Sequence, residues 1–149
     1  GIGNFNQVIT WINKIFNSRM FEQSTNILVV SKLLFIITHF ELNNFEFIQY
    51  NIRSAFRFLF KRKKVYKTEM FIMRFIKNKM PKINSRAELT DAFKDLKREI
   101  ENIMNDSFEK NLLEYFDLLS WIESKIENRP FAEVVKEKAR LSRSKVNDC

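Results

Sequence analysis

Glycine occurs only at Gly1 and Gly3 of the 149 residues. From Asn4 onward no residue takes a positive φ without steric cost. That excludes phosphate-cradling glycine loops, dinucleotide fingerprints and glycine-dependent tight hairpins from the body of the chain. Cysteine occurs once, at Cys149, so neither a disulfide nor a cysteine-based metal site can be assembled within the chain. That usage fits a reducing compartment, and a cytoplasmic location is expected. Histidine also occurs once, at His39, which excludes a His–His metal pair and a Ser–His–Asp set. His39 reads as a packed or polar-stripe residue rather than a ligand. Long apolar runs are missing too. The most apolar stretch, Ile27 to Phe40, spans 14 residues and is interrupted by Ser31, Lys32, Thr38 and His39, whereas a spanning helix needs about 20. It predicts a buried helix and no membrane insertion.

What is present is apolar and aromatic: 45% hydrophobic residues, including 16 Phe, with only two prolines. This composition belongs to a folded chain and not to a disordered, collagen-like or disulfide-stapled one. Ile, Phe, Lys and Asn supply 63 of the 149 residues; all four have AT-rich codons, which discounts the overall charge of +8 as a functional signal. The length allows one domain. The chain begins with Gly1 and not Met, and is expected to be a piece of a longer protein.

A 3.6-residue apolar period predicts seven helices and no strand. Phe5, Val8, Ile9, Ile12, Ile15 and Phe16 form the stripe of a first helix, residues 4–18. The second, about 24–42, is apolar around most of its circumference and belongs in the middle of a packed layer. The third covers about 45–62, and the fourth about 66–80, where Pro81 stops it. Ser85 with Glu88 forms a capping box opening the fifth, 85–104. A sixth is predicted over 107–128 and a seventh from Pro130 to about Lys145, followed by a frayed tail at 146–149. In the absence of glycine, asparagine is the residue that tolerates left-handed helix ends. Asn17, Asn43, Asn44, Asn105 and Asn128 all fall at the expected breaks. Short connections imply antiparallel hairpins, here pairs at 24–62, 66–104 and 108–145 preceded by the orphaned helix 4–18. The starts recur every 42 residues, the period of a stacked repeat.

The turn Asn43-Asn44-Phe45-Glu46 resembles the tetratricopeptide turn, which reads Gly, then Asp or Asn, an aromatic and an acid. Ala55 stands where that family places a small residue, whereas Ile36 and Ile48 stand where it also wants small ones, giving a wider-spaced unit. The segments 41–64, with Tyr66 and Glu69, and 116–126 are similar to tetratricopeptide-like helical-repeat proteins of Bacteroidetes. The resemblance spans roughly residues 30–135. It implies an all-α, right-handed superhelix of stacked antiparallel helix hairpins with protein binding as its usual role, through a groove made by the first-helix faces. It supplies no catalytic residues.

Charge is strongly segregated. Residues 45–84 carry eleven Lys or Arg against two Asp or Glu, a net of +9, whereas 85–130 carry seven against eleven, a net of −4. Arg53, Arg57 and Lys61 recur every four residues on the third helix, and Lys64 continues the stripe. Ile48, Ile52 and Phe56 flank one side of it, and Phe47, Tyr50, Ser54 and Phe58 the other, so the helix is expected to pack twice and expose a basic ridge without an aromatic stacking platform. Glu69 is expected to pair with Arg57, Lys61 or Arg62 and fix the angle between helices three and four. Asp91, Asp95 and Glu99 read as solvated surface, because Lys94, Lys97 and Arg98 are interleaved with them. Trp11 and Trp121 fill gaps between hairpins or mark a groove. No nucleophile with an assisting base is visible. These features predict a non-enzymatic scaffold with no cofactor or metal. Arg53, Arg57, Lys61 and Lys64 would contact a protein or acidic peptide, with nucleic acid as the alternative partner for the same ridge.

Overall fold

In the computed structural model, which describes residues 2–16, 25–62 and 65–148, the described residues form an all-α fold of eight helices. These are α1 (Ile2–Phe16), α2 (Thr25–Glu41), α3 (Phe45–Phe60), α4 (Lys67–Arg74), α5 (Arg86–Ile103), α6 (Ser107–Leu113), α7 (Leu118–Glu127) and α8 (Phe131–Asn147). The first helices of the expected pairs start at Thr25, Lys67 and Ser107, 42 and 40 residues apart. Helix α2 is the common element, packing against α1, α3, α4 and α6. Its polar line is accordingly inside: Ser31, Thr38 and His39 are buried, and the Thr38 hydroxyl donates to the Leu34 carbonyl at 2.6 Å. No helix among the described residues is long and apolar enough to cross a membrane.

Two departures from the expected segmentation matter. The single helix expected over 107–128 is broken: α6 ends at Leu113 and α7 begins after Asp117, whose carboxylate accepts from the Ser120 amide at 3.0 Å and hydroxyl at 2.6 Å. The apolar stripe runs through the break, so periodicity alone hides it, while the Asp117 cap satisfies the new N-terminus. Helix α4 is likewise shorter than expected and passes into a π turn over 75–79 and a 3-10 turn over 80–82, where Pro81 ends regular hydrogen bonding. At the other end, α8 continues to Asn147, past the expected limit at 145.

Of the asparagines placed at helix ends, Asn43 (φ 56°) and Asn128 (φ 53°) take the left-handed conformation. Asn105 does not: after α5 the Asp106 amide closes onto the Ile103 carbonyl at 3.0 Å, a tight turn that needs no positive φ. Asn44 instead opens α3, its carbonyl accepting from the Ile48 amide. Asn17 lies outside the described residues.

The centre of the core is aromatic. Phe40 of α2, Phe93 of α5 and Trp121 of α7 meet edge to face with centroids 5.5–5.8 Å apart, and Phe75 of the π turn adds a fourth ring 4.7 Å from Phe93. All three pairs therefore meet at one point, and each such ring contact is worth about 0.5–1.5 kcal/mol beyond its area burial. Trp121 fills this gap and donates its indole N–H to Glu41 at 2.7 Å, whereas Trp11 is exposed.

A second, polar junction sets the register between α4 and α6. Asp106 caps α6 by accepting from the Phe108 and Glu109 amides. Glu109 then turns away from its own helix, and its carboxylate accepts from the Lys67 amide at 2.7 Å, the Thr68 amide at 3.1 Å and the Thr68 hydroxyl at 2.7 Å. It is 2% exposed and sits at the positive end of α4. Phe108 beside it stacks on Tyr66 with centroids 4.2 Å apart, and the Tyr66 hydroxyl donates to Asn26 of α2 at 2.6 Å. Replacing Glu109 by Ala orphans two buried amide donors and one hydroxyl, and is expected to cost about 2–4 kcal/mol in urea unfolding. Glu114→Ala, on the exposed end of α6, is expected to change stability by less than about 0.5 kcal/mol. Equal effects would show that the buried carboxylate does not carry the junction.

Candidate functional site

Helix α3 packs on α2 and on the π turn, leaving its outer side uncovered. Ile48 and Ile52 face inward. Phe47 reaches α2, stacking on His39 with centroids 4.1 Å apart, and Phe35 meets both rings, edge to face with the imidazole at 4.5 Å and 5.7 Å from Phe47. Asn44 Nδ2 lies 3.1 Å from His39 Nδ1, while Nε2 is buried without a hydrogen-bond partner among the described residues. His39 is thus a packed residue, and burial lowers its pKa. Lys32 and Arg62 lie over the face of Phe58 at 4.5 and 5.4 Å.

Arg53, Arg57 and Lys61 are exposed, and none of them is in an ion pair among the described residues. Arg53 and Arg57 share the outer stripe of α3, Lys61 stands in the turn just past its end at Phe60, short of the expected limit at 62, and Lys64, proposed as the continuation, lies outside the described residues. Arg62 is different. It pairs with Glu69 (2.9 Å to Oε2), one of the three pairings the sequence left open with Arg57 and Lys61, and both side chains are largely buried. Glu69 also accepts from the Tyr66 amide at 3.2 Å, tying the end of α3 to the start of α4. Burial raises the Glu69 pKa, and the Arg62 guanidinium opposes that rise. Arg62 is therefore architectural, although it directly follows Lys61 of the ridge in the chain.

One expectation for this face is overturned. Tyr50, assigned from spacing to a packing side, is 82% exposed, and Phe47 is 42% exposed despite its contacts with α2. At 100° per residue Tyr50 falls on the crest between Arg57 and Lys61, seven and eleven positions on, and not against α2. One exposed aromatic thus stands in line with the cations, at the end of the stripe just before Arg53.

A cleft of about 1160 Å³ opens beside the first turn of α3. It lies where the α2–α3 turn, the 3-10 turn and the α7–α8 turn converge, away from the first-helix faces expected to form a groove. Phe40, Phe45, Met80, Ile83, Leu89 and Pro130 give it apolar walls. Its cations are engaged: Lys125 pairs with Glu41, Arg86 donates to the Lys125 carbonyl, and Arg129 pairs with Glu127 and Glu137. Sequence patterns missed this cleft because its walls come from three separated segments, and of its lining only Asn43, Phe45 and Glu46 belong to the turn motif read from the chain.

The acidic segment does not cover the ridge. Within it, Glu109 caps α4, Asp95 pairs with Arg98, and Glu123 bridges Lys97 (3.2 Å) and Lys138 (2.6 Å), which hold its pKa down against the effect of burial.

Two outcomes follow. Arg53→Ala with Arg57→Ala is expected to shift the unfolding free energy by less than about 0.5 kcal/mol, while Arg62→Ala, which strands buried Glu69, costs about 3 kcal/mol. The reverse order in urea titrations would make the ridge architectural. For His39 the unfolded ring takes a proton near pH 6.5 and the folded ring only at a lower pH. Its contribution is therefore full above about 6.5 and is lost as the pH falls through the folded value. Wild type is expected to lose more stability than His39→Phe between pH 7.5 and 5.5, and parallel losses would contradict the assignment.

No family model matches this chain, and neither a curated protein nor a solved structure matches it.

Proposed function

We propose that the chain is a non-catalytic binding scaffold that holds an acidic segment of a partner protein or peptide along the outer face of α3. The observation that carries this reading is the exposure of Arg53, Arg57 and Lys61 with no intramolecular ion pair among the described residues, while Glu69 is taken up by Arg62. Successive members of the stripe rise about 6 Å along the helix, and guanidinium groups bind carboxylates through two parallel hydrogen bonds. The protein-binding role usual among the tetratricopeptide-like proteins that the chain resembles points the same way. The second reading, single-stranded nucleic acid on the same face, draws support from Tyr50, since an exposed ring beside cations is what a stacked base uses.

Fluorescence anisotropy separates the two. A labelled hexaglutamate peptide is expected to bind, to weaken as salt rises, and to lose at least about tenfold in affinity with Arg53→Glu/Arg57→Glu, a change of about 1.4 kcal/mol. Absence of peptide binding, with salt-sensitive binding of an oligonucleotide that the double variant abolishes, would replace the first reading by the second.

A further inference from the structure

The cleft and the ridge share α3. Phe45, Glu46 and Gln49 line the cleft, and Arg53 follows Gln49 by one turn on the same side of the helix. Arg57 stands about 12 Å beyond Gln49 at 1.5 Å per residue, and Lys61 follows just past the end of α3. One surface therefore runs from apolar walls, through a polar step at Glu46 and Gln49, onto three exposed cations. Gln49 is held at this step by its amide, which donates to the Ile76 carbonyl at 3.4 Å. Glu46 is exposed and has no ion pair among the described residues.

We propose that the cleft and the ridge form one docking surface for a single partner segment: apolar side chains enter the cleft, and a run of carboxylates lies along Arg53, Arg57 and Lys61. The proposal rests on the acidic-partner reading of the ridge and adds the anchor that gives the segment its register. Charge complementarity fixes the chemistry at the ridge end. At the other end the cleft cations are already engaged by Glu41, Glu127, Glu137 and a carbonyl, so its free surface is the apolar wall of Met80, Ile83 and Leu89. Glu46 repels carboxylates at the mouth, which places the first acidic residue of the partner past it. One helical turn of separation, about 6 Å, is about two residues of extended chain. The occupant is thus an apolar pair of residues, a spacer of about two, and then an acidic run. A volume of about 1160 Å³ accommodates more than one side chain.

The test compares hexaglutamate with hexaglutamate carrying a Leu-Phe pair beyond a two-residue Gly-Ser spacer, at its N-terminus or its C-terminus. In one orientation the anchored peptide is expected to bind at least about tenfold more tightly. Ile83→Gln/Met80→Gln is expected to remove that advantage while leaving hexaglutamate affinity unchanged, and unchanged hexaglutamate binding itself reports that the variant is folded. Should that variant fail to fold, Met80→Gln alone carries the same comparison. Equal affinity for anchored and unanchored peptides overturns the docking surface but leaves the ridge reading intact. So does an advantage that survives in the cleft variant. Failure of every peptide to bind overturns both. Self-association of the free chain in sedimentation, abolished by the cleft variant, assigns the cleft to a second copy and overturns the proposal.

Discussion

A buried carboxylate can join two helices only if every one of its lone pairs that faces the protein is met, and Glu109 meets this condition at the start of α4. Three donors from Lys67 and Thr68 converge on it, and the positive end of α4 favours its charge. Because Glu109 sits in the first turn of α6, this contact fixes the register between two helices about forty residues apart in sequence. The Tyr66–Phe108 stack and the Tyr66–Asn26 hydrogen bond extend the junction to α2. Arg62 and Glu69 extend it to α3. The direction in which α3 presents its outer face is thus set from behind, by groups that never reach the surface.

This arrangement accounts for the charge that remains outside. Glu41, Glu69, Glu109 and Glu123 are consumed in caps and pairs within the fold. Arg62 and Lys125 are consumed with them. Among the cations left outside ion pairs in the described residues, Arg53 and Arg57 lie on the outer side of α3, with Lys61 just past its end. Exposed ion pairs contribute little to stability, so leaving these cations without a partner costs the fold little. The cleft has a similar origin. Three turns converge beside Phe40 and Phe45, and Phe40 joins the cleft wall to the Phe40–Phe93–Trp121 cluster.

Locally encoded features were legible in the sequence. Ser85 and Glu88 placed the start of α5 within one residue, and Ser85 does accept from the Glu88 amide at 3.1 Å. The all-round apolar character of α2 foretold its central place, and the i,i+4 recurrence of Arg53, Arg57 and Lys61 foretold a single exposed stripe. Nonlocal features were hidden. The α6–α7 break is invisible to periodicity because Tyr115 and Phe116 keep the stripe apolar across it, although Asp117 with Ser120 carries a cap signal. Glu109, three residues after Asp106, reads as the acid of an ordinary capping box, and only the fold reveals that it serves another helix. Tyr50 was misplaced because an aromatic between Phe47 and Phe58 looks like packing surface until the position of α2 is known. The cleft has no sequence signature, since its walls come from segments that meet only in the fold.

The most direct measurement is two-dimensional NMR of the isotopically labelled chain titrated with hexaglutamate. The account predicts shift changes concentrated on α3 from Glu46 to Lys61, with the Arg53 and Arg57 side-chain signals moving most and the Glu109 junction unmoved. Perturbations centred on another helix, or none at peptide concentrations that saturate an anisotropy signal, would contradict the assignment of α3 as the binding face.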